Sequence, residues 1–562
     1  MTETTITGTG VVAGTAYAPA VWVHPRPELP QAGQTVAEDQ RDAEYDRFVE
    51  AADAVAARLD ERAANSKGQA AEVLVATAGM VRDRGWRKTV KKNIQVGHPA
   101  DYAAVAATDK FVAMFESAGG LMAERTTDLK DVRDRVIAEL RGEQEPGLPS
   151  ATEPSVLLAD DLSPADTAGL DPEMFVALAT ELGGPTSHTS IIARQLGVPC
   201  IVAVGAHLRD IEAGTPVRID GAVGTILLGA DPEESRALVE ESRRQLERVA
   251  QWRGPLQTSD GHRVQLLANV ADGKAARQAA QRQVEGVGLY RTELSFLGVS
   301  TEPTVEEQTA IYREVFEAFP GQKVVVRTLD AGSDKPIEYA TMTKEDNPAL
   351  GVRGLRIARS NEALLTRQLD AIAAAVAERD DDAQTWVMAP MVATSFEAEW
   401  FAGLCRERGL TPGAMIEVPA AALMADKIMP HLDFVSIGTN DLTQYTMAAD
   451  RLSPQLAYLT DPWQPAVLRL IRHTCIVAAD NQIPVGVCGE AAADPLLASV
   501  LTGLGVKSLS AASSAVAAVG ATVSEYSLAE CQRIALAAIE AEGAVEAREA
   551  ARAVVSEIRR ER

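Results

Sequence analysis

The spacing of apolar residues changes several times along the chain, and each change predicts a different kind of element. Residues 5–23, running through ITGTGVVAGTAYAPAVWV, alternate apolar with small or polar positions and predict short strands joined by turns. HPRPELPQAG follows, and its prolines and glycine predict a linker. From about 35 to 142 proline is nearly absent. Apolar residues there recur at helical spacing in AEYDRFVEAADAVAARLDERAA and LMAERTTDLKDVRDRVIAEL, which predicts a helical bundle of about two hairpins. EQEPGLPSATEP breaks that rhythm. The short apolar runs PSVLLADDL, FVALATE and PCIVAVG then read as strands alternating with helices, an α/β unit. TPVRIDGAVGTILLG predicts a β-hairpin, and residues 231–252, with a proline near their start, predict one long amphipathic connecting helix. Beyond about 255, strand-like runs recur between helical patterns: VQLLANV, GVGLYRTEL, VVVRTLD, TWVMAPMV, AMIEV, FVSIGTND and VGVCGE. That is the cadence of a (β/α)8 barrel, and about 300 residues suits one.

Length and composition narrow the function classes. At 562 residues the chain predicts three to four domains, and 46% hydrophobic residues supply their cores. Acidic residues outnumber basic ones 79 to 54, a net charge of -25 that argues against nucleic acid and anionic membranes as partners. A small anion can still bind where a few arginines converge, since local field outweighs net charge at short range. The five cysteines are scattered with no CxxC pair, so neither a disulfide framework nor a zinc ribbon is expected. No basic leader with an apolar core opens the chain, and no apolar stretch is long enough to span a bilayer. The expectation is a cytoplasmic protein with free thiols.

The segment ELGGPTSHTSIIARQLGVPCIV carries the first candidate chemistry. Gly183 and Gly184 allow a tight turn, Thr186, Ser187, Thr189 and Ser190 surround His188 with hydroxyls, and IIARQLG begins a helix. A helix N-terminus suits a phosphate, and a neutral imidazole nitrogen can attack phosphorus while a hydroxyl on the other nitrogen fixes its tautomer. A histidine near a helix start with capping hydroxyls is also an ordinary structural arrangement. GGPTSHTSIIAR resembles the phosphohistidine signature of phosphoenolpyruvate-utilising enzymes, and that resemblance implies that His188 is phosphorylated.

Such a substrate carries a carboxylate and a phosphate, and arginine forks match both. Arg291 in YRTE, Arg327 in VVRTLD, Arg353 in NPALGVR and Arg451 in AADR are the candidates, each of which can alternatively pair with an acid. Phosphoryl transfer also calls for a hard cation, and Mg2+ takes one or two carboxylates with water and substrate oxygens. Glu417 in MIEVP and Asp441 in GTNDLTQYT can supply them, and Asn440 can donate to phosphate. Asp441 can equally cap a helix, and Glu417 can sit in a buried ion pair. Cys488 in VGVCGE, at a strand end, is a candidate acid for protonating an enolate, or else a small buried hydrophobe.

Taken in order, YRTE, RTLD, NPALGVR, MIEVP, SIGTNDLTQYTMAADR and CGE, with the histidine segment, resemble enzyme I of the bacterial phosphoenolpyruvate–sugar phosphotransferase system over nearly the whole chain. Pro185 and Ser333 depart from the usual pattern. The resemblance implies a multidomain α/β protein. Residues 1–25 and 145–230 would form a phosphohistidine domain, with a helical bundle at 30–143 inserted that binds the phosphocarrier HPr. A linker helix at 231–253 would lead to a phosphoenolpyruvate-binding TIM barrel at 255–562. It further implies Arg291, Arg327, Asn440, Asp441 and Arg451 on substrate, Glu417 and Asp441 on Mg2+, Cys488 as proton donor, and a homodimer through the barrel. Phosphoenolpyruvate synthase and pyruvate phosphate dikinase relatives pair a phosphohistidine with a barrel too. They need a nucleotide domain, for which the chain starts too close to the histidine unit. A phospho-acceptor scaffold without turnover is a third reading.

Overall fold

The computed structural model describes residues 3–31, 33, 35–65, 69–118, 126–149, 151–162, 166, 170–184, 187–332, 336–341, 345–379, 384–451 and 453–562. Pro185, Thr186, Ser333 and the stretch 121–125, all used in the sequence analysis, lie outside the described residues, as does the side chain of His188. The chain divides into two compact units, Met1–Leu246 and Glu247–Arg562.

In the first unit, β1 (Thr4–Thr7), β2 (Thr9–Val12) and β3 (Thr15–Trp22) join β4 (Ser155–Ala159), β5 (Phe175–Thr180), β6 (Cys200–Val202), β7 (Pro216–Asp220) and β8 (Thr225–Leu228). They form one sheet ordered β1-β8-β7-β3-β4-β5-β6-β2. β3 to β6 run parallel, while β7 and β8 make the antiparallel hairpin expected from TPVRIDGAVGTILLG. Val156 and Leu158 face one core and Leu157 and Ala159 the other. A strand buried on both faces reads as an unbroken apolar run, as SVLLA does.

The inserted bundle has five helices among the described residues: Arg41–Asn65, Gln69–Val81, Arg84–Gln95, Ala100–Ala118 and Thr126–Arg141. This exceeds the two hairpins expected. Asp83 ends one helix and caps the next by accepting from Trp86 N at 2.7 Å, and Gly97, at φ +103°, opens another break. Phe48, Val55, Leu59, Trp86, Val90 and Ile94 fill the core. The last helix buries charge as well. Arg135 is fully buried and binds Asp131 (2.7 Å), Glu145 (2.6 Å) and Asp166 (2.8 Å), with Pro146 O at 3.1 Å. These bonds tie the bundle to the chain that returns to the sheet. The helix Pro232–Gln251 then follows.

The second unit is a closed, all-parallel barrel. Its strands are β9 (Gln265–Val270), β10 (Gly286–Arg291), β11 (Lys323–Arg327), β12 (Thr385–Ala389), β13 (Thr411–Ile416), β14 (Phe434–Ile437), β15 (Val485–Val487) and β16 (Ser508–Ala511). Seven coincide with the seven runs seen in the sequence. The eighth, SLSA, pairs with β15 and β9 and completes the ring. Leu289, Val325, Met388, Met415 and Phe434 pack inside it, so the barrel is filled and its usable space lies at the mouth. Among the described residues no helix is long and apolar enough to cross a membrane.

Candidate active site

Register brings the mouth residues together. Arg291 and Arg327 are paired at the ends of β10 and β11. Glu417 follows β13 directly, Asp441 lies in the helix Thr439–Met447 after β14, and Cys488 follows β15, its N–H donating to Ile437 O at 3.1 Å. The result is a cavity of ≈ 480 Å³ lined by Arg291, Arg327, Glu417, Asn440, Asp441, Arg451 and Cys488, together with Glu293, Asp330, Thr439 and Glu490. Arg353 stands behind this wall, 2% exposed, with Nη2 at 3.6 Å from both Asp330 and Asp441.

The ion pairs leave capacity unused. Arg327 is clamped by Glu293 at 2.6 Å and Asp330 at 3.0 Å, yet its Nε has no hydrogen-bond partner. Among the described residues no carboxylate reaches Arg291 within ion-pair distance. Arg451 is 3.5 Å from Asp441 and partly exposed. Asn440 accepts from Glu490 N at 3.0 Å through its carbonyl oxygen, which leaves its NH2 to donate elsewhere. Buried donors and acceptors are nearly always paired in folded proteins, so open ones inside a cavity mark where a ligand binds.

The carboxylates are held under electrostatic load. Glu417 Oε1 accepts from Met391 N at 2.6 Å, while Oε2 is buried without a partner. Met391 donates from φ +61°, a left-handed conformation that costs a non-glycine residue free energy and clusters at functional sites. Gly438 leaves room for this carboxylate, because a Cβ on it would stand 2.7 Å from Glu417 Oε2 and 2.8 Å from Met415 Cε. Burial, then Asp441 and Asp330, push Glu417 up to about 8. Among the described residues no three His, Cys, Asp or Glu side chains gather as a complete metal cage. Two carboxylates with open oxygens are the donor set that suits Mg2+ completed by substrate and water. Burial also pushes the Cys488 thiol up to about 11, with the Ser436 hydroxyl beside it, so it keeps its proton at neutral pH.

His188 opens the helix His188–Leu196 of the first unit. Ser187 caps that helix, accepting from Ser190 N at 3.3 Å. The flanking hydroxyls bond locally: Thr189 donates to Asp161 (3.1 Å), Ser190 to Gly184 O (2.7 Å) and Ser187 to Ser190 Oγ (3.0 Å). They therefore shape the loop and the helix start.

Glu293, Asp330, Thr439 and the Met391 amide escaped the sequence reading. The two acids were visible inside YRTE and RTLD, but an acid near an arginine in sequence reads as that arginine's neutralising partner. A left-handed methionine has no sequence signal at all.

Three family models match the chain: the N-terminal region of phosphoenolpyruvate-utilising enzymes at residues 7–125, their mobile domain at 151–224 and their PEP-binding domain at 245–528. A phosphoenolpyruvate-protein phosphotransferase of Streptomyces coelicolor is 46% identical over 99% of this chain and 100% of its own length. Proteins of the same description from Haloferax volcanii and Bacillus subtilis are 38% and 34% identical, over 98% and 93% of this chain and 99% and 95% of theirs. Barrel, cavity and full-length similarity agree, and the chain belongs to the family of phosphoenolpyruvate-utilising enzymes whose curated relatives are phosphoenolpyruvate-protein phosphotransferases.

Proposed function

We propose that this protein moves the phosphoryl group of phosphoenolpyruvate onto His188 and then onto HPr, releasing pyruvate, as a cytoplasmic homodimer joined through the barrel. In this reading residues 1–25 with 145–230 carry the histidine, 30–143 receive HPr, 231–253 link, and 255–562 bind substrate. The observation that carries it is the single cavity at the barrel mouth, where three arginines, an amide donor, two open carboxylates and a protonated thiol converge.

Arg291, Arg327 and Arg451 hold the anionic groups of the substrate, Arg353 steadies Asp441 from behind, and Asn440 donates to phosphate. Glu417 and Asp441 would hold Mg2+, which when bound neutralises charge on the phosphoryl oxygens. An imidazole nitrogen of His188 forms the N–P bond as the bond from phosphorus to the enol oxygen breaks. The electron pair stays on that oxygen as an enolate, which the arginines stabilise. Cys488 then gives its proton to the methylene carbon, forming pyruvate, and the thiolate regains a proton from solvent. The N–P bond next breaks as a histidine of HPr takes the phosphoryl group.

Phosphoenolpyruvate labelled on phosphorus, with Mg2+, should leave an acid-labile, base-stable label on the wild type, and none on His188→Ala. Label surviving in that variant would remove His188 as acceptor. Cys488→Ala should lose on the order of 10²–10⁴ in pyruvate formation, while phosphoryl exchange between His188 and HPr persists.

A further inference from the structure

Behind the arginine-bearing strand ends lies a closed set of buried polar side chains. Gln368 sits on the helix Glu362–Ala377 and is 5% exposed. Its Oε1 accepts from Leu329 N at 2.9 Å, and its Nε2 donates to Thr292 Oγ1 at 3.2 Å and to Tyr312 OH at 3.1 Å. Thr292 passes its own proton to Arg327 O at 2.9 Å. Tyr312 donates to Gln308 Oε1 at 3.2 Å, and Gln308 donates to Pro303 O at 3.0 Å. Each hydroxyl in the set both accepts and donates.

The direction of each bond is forced. Leu329 offers a backbone N–H, which can only donate, so the oxygen of Gln368 must face it and the NH2 must face the two hydroxyls. No other side chain fits the task. A carboxylate has no proton for either hydroxyl, asparagine is one methylene shorter, and an apolar residue would strand a buried N–H.

The placement gives the set its meaning. Thr292 stands between Arg291 and Glu293, and Leu329 between the segment end at Arg327 and Asp330. Glu293 and Asp330 are the two acids that clamp Arg327. Past the ladder that pairs Arg291 with Arg327, these two segments are joined on the cavity side by that charged clamp, which substrate must perturb. On the helix side they are joined by neutral, directional bonds that substrate does not touch.

We propose that Gln368 is a positioning residue for the reaction: through Leu329, Thr292 and Tyr312 it fixes the segments just past the two paired strand ends, and so the aim of Arg291 and of the acids that clamp Arg327. This rests on the reading of the barrel mouth as the phosphoenolpyruvate site. Misplacing such groups by an ångström costs on the order of a hundredfold in rate, so a residue remote from the substrate has leverage over it.

The test uses the full chain with Mg2+, phosphoenolpyruvate and HPr, and compares two half-reactions. Gln368→Leu should lower kcat/KM for phosphoenolpyruvate on the order of 10–100-fold, and leave phosphoryl exchange between phospho-HPr and His188 unchanged. Thr292→Val, which keeps shape and removes the hydroxyl, should act in the same direction, and the double variant should lose less than the product of the two. An unchanged kcat/KM, an equal loss in both half-reactions, or multiplicative effects of the pair would each overturn the assignment. If Gln368→Leu does not fold, Thr292→Val decides by the same half-reaction split. A wild type that phosphoenolpyruvate fails to phosphorylate defeats the underlying reading of the site, and is separate from a phosphorylated wild type with an indifferent variant.

Discussion

Burial, and the nearby carboxylates of Asp441 and Asp330, push Glu417 up to about 8. Its folded value thus lies above the ordinary carboxylate value of 4.5. A raised acid binds its proton more tightly in the fold than in the unfolded chain, so its contribution falls as pH climbs from about 4.5 through about 8. A cation reverses this locally by favouring the ionised form. Loading the site of His188→Ala, where no transfer follows binding, with Mg2+ and phosphoenolpyruvate near pH 7 should therefore release a proton, and apparent affinity should rise with pH until about 8 and then level. Calorimetry in buffers of different ionisation enthalpy reads that proton directly. Adding Glu417→Gln should abolish the release, and a His188→Ala protein that releases none would contradict the assigned state. Glu417 was legible in MIEVP because it follows an apolar run. The features around it were not: Met391 donates to it and Gly438 leaves it room through backbone geometry, while Asp330 raises it through distance across the barrel.

At the scale of elements, charge placed inside a helix shows most. The helix Thr126–Arg141 buries Asp131, Arg133, Asp134 and Arg135, and removing Arg135 takes from buried Asp131 and Asp166 the cation that offsets their desolvation. Arg135→Met should destabilise the first unit by about 3–5 kcal/mol, seen as a lower urea midpoint for that unit with the barrel transition unmoved. An unshifted midpoint would mean that Asp131 and Asp166 find other partners. The sequence shows this helix by its period but not its role, because ERTTDLKDVRDRV looks like a solvated charged face. The barrel strands divide similarly. Val324, Val325 and Val326 or Phe434 and Val435 announce themselves by β-branched and aromatic side chains. Ser508–Ala511 lies among alanines and serines, and becomes a strand because the ring closes only when β15 and β9 share a partner.

For the whole molecule, the division into two compact units separates the chemistry. The cavity belongs wholly to Glu247–Arg562, and His188 to Met1–Leu246. Scanning calorimetry should resolve two transitions, and in His188→Ala phosphoenolpyruvate with Mg2+ should raise only the barrel's. At about 100-fold excess over Kd the gain is roughly 2.7 kcal/mol. A ligand that raised both equally would show that the units unfold as one. All five thiols, Cys488 included, are buried. Peroxide and alkylating agents attack the thiolate, and a thiol held near 11 is ionised in only about one molecule in ten thousand at pH 7. The same depth that keeps the proton on Cys488 therefore guards it against oxidative damage, so that it should outlast more exposed, more acidic thiols under peroxide.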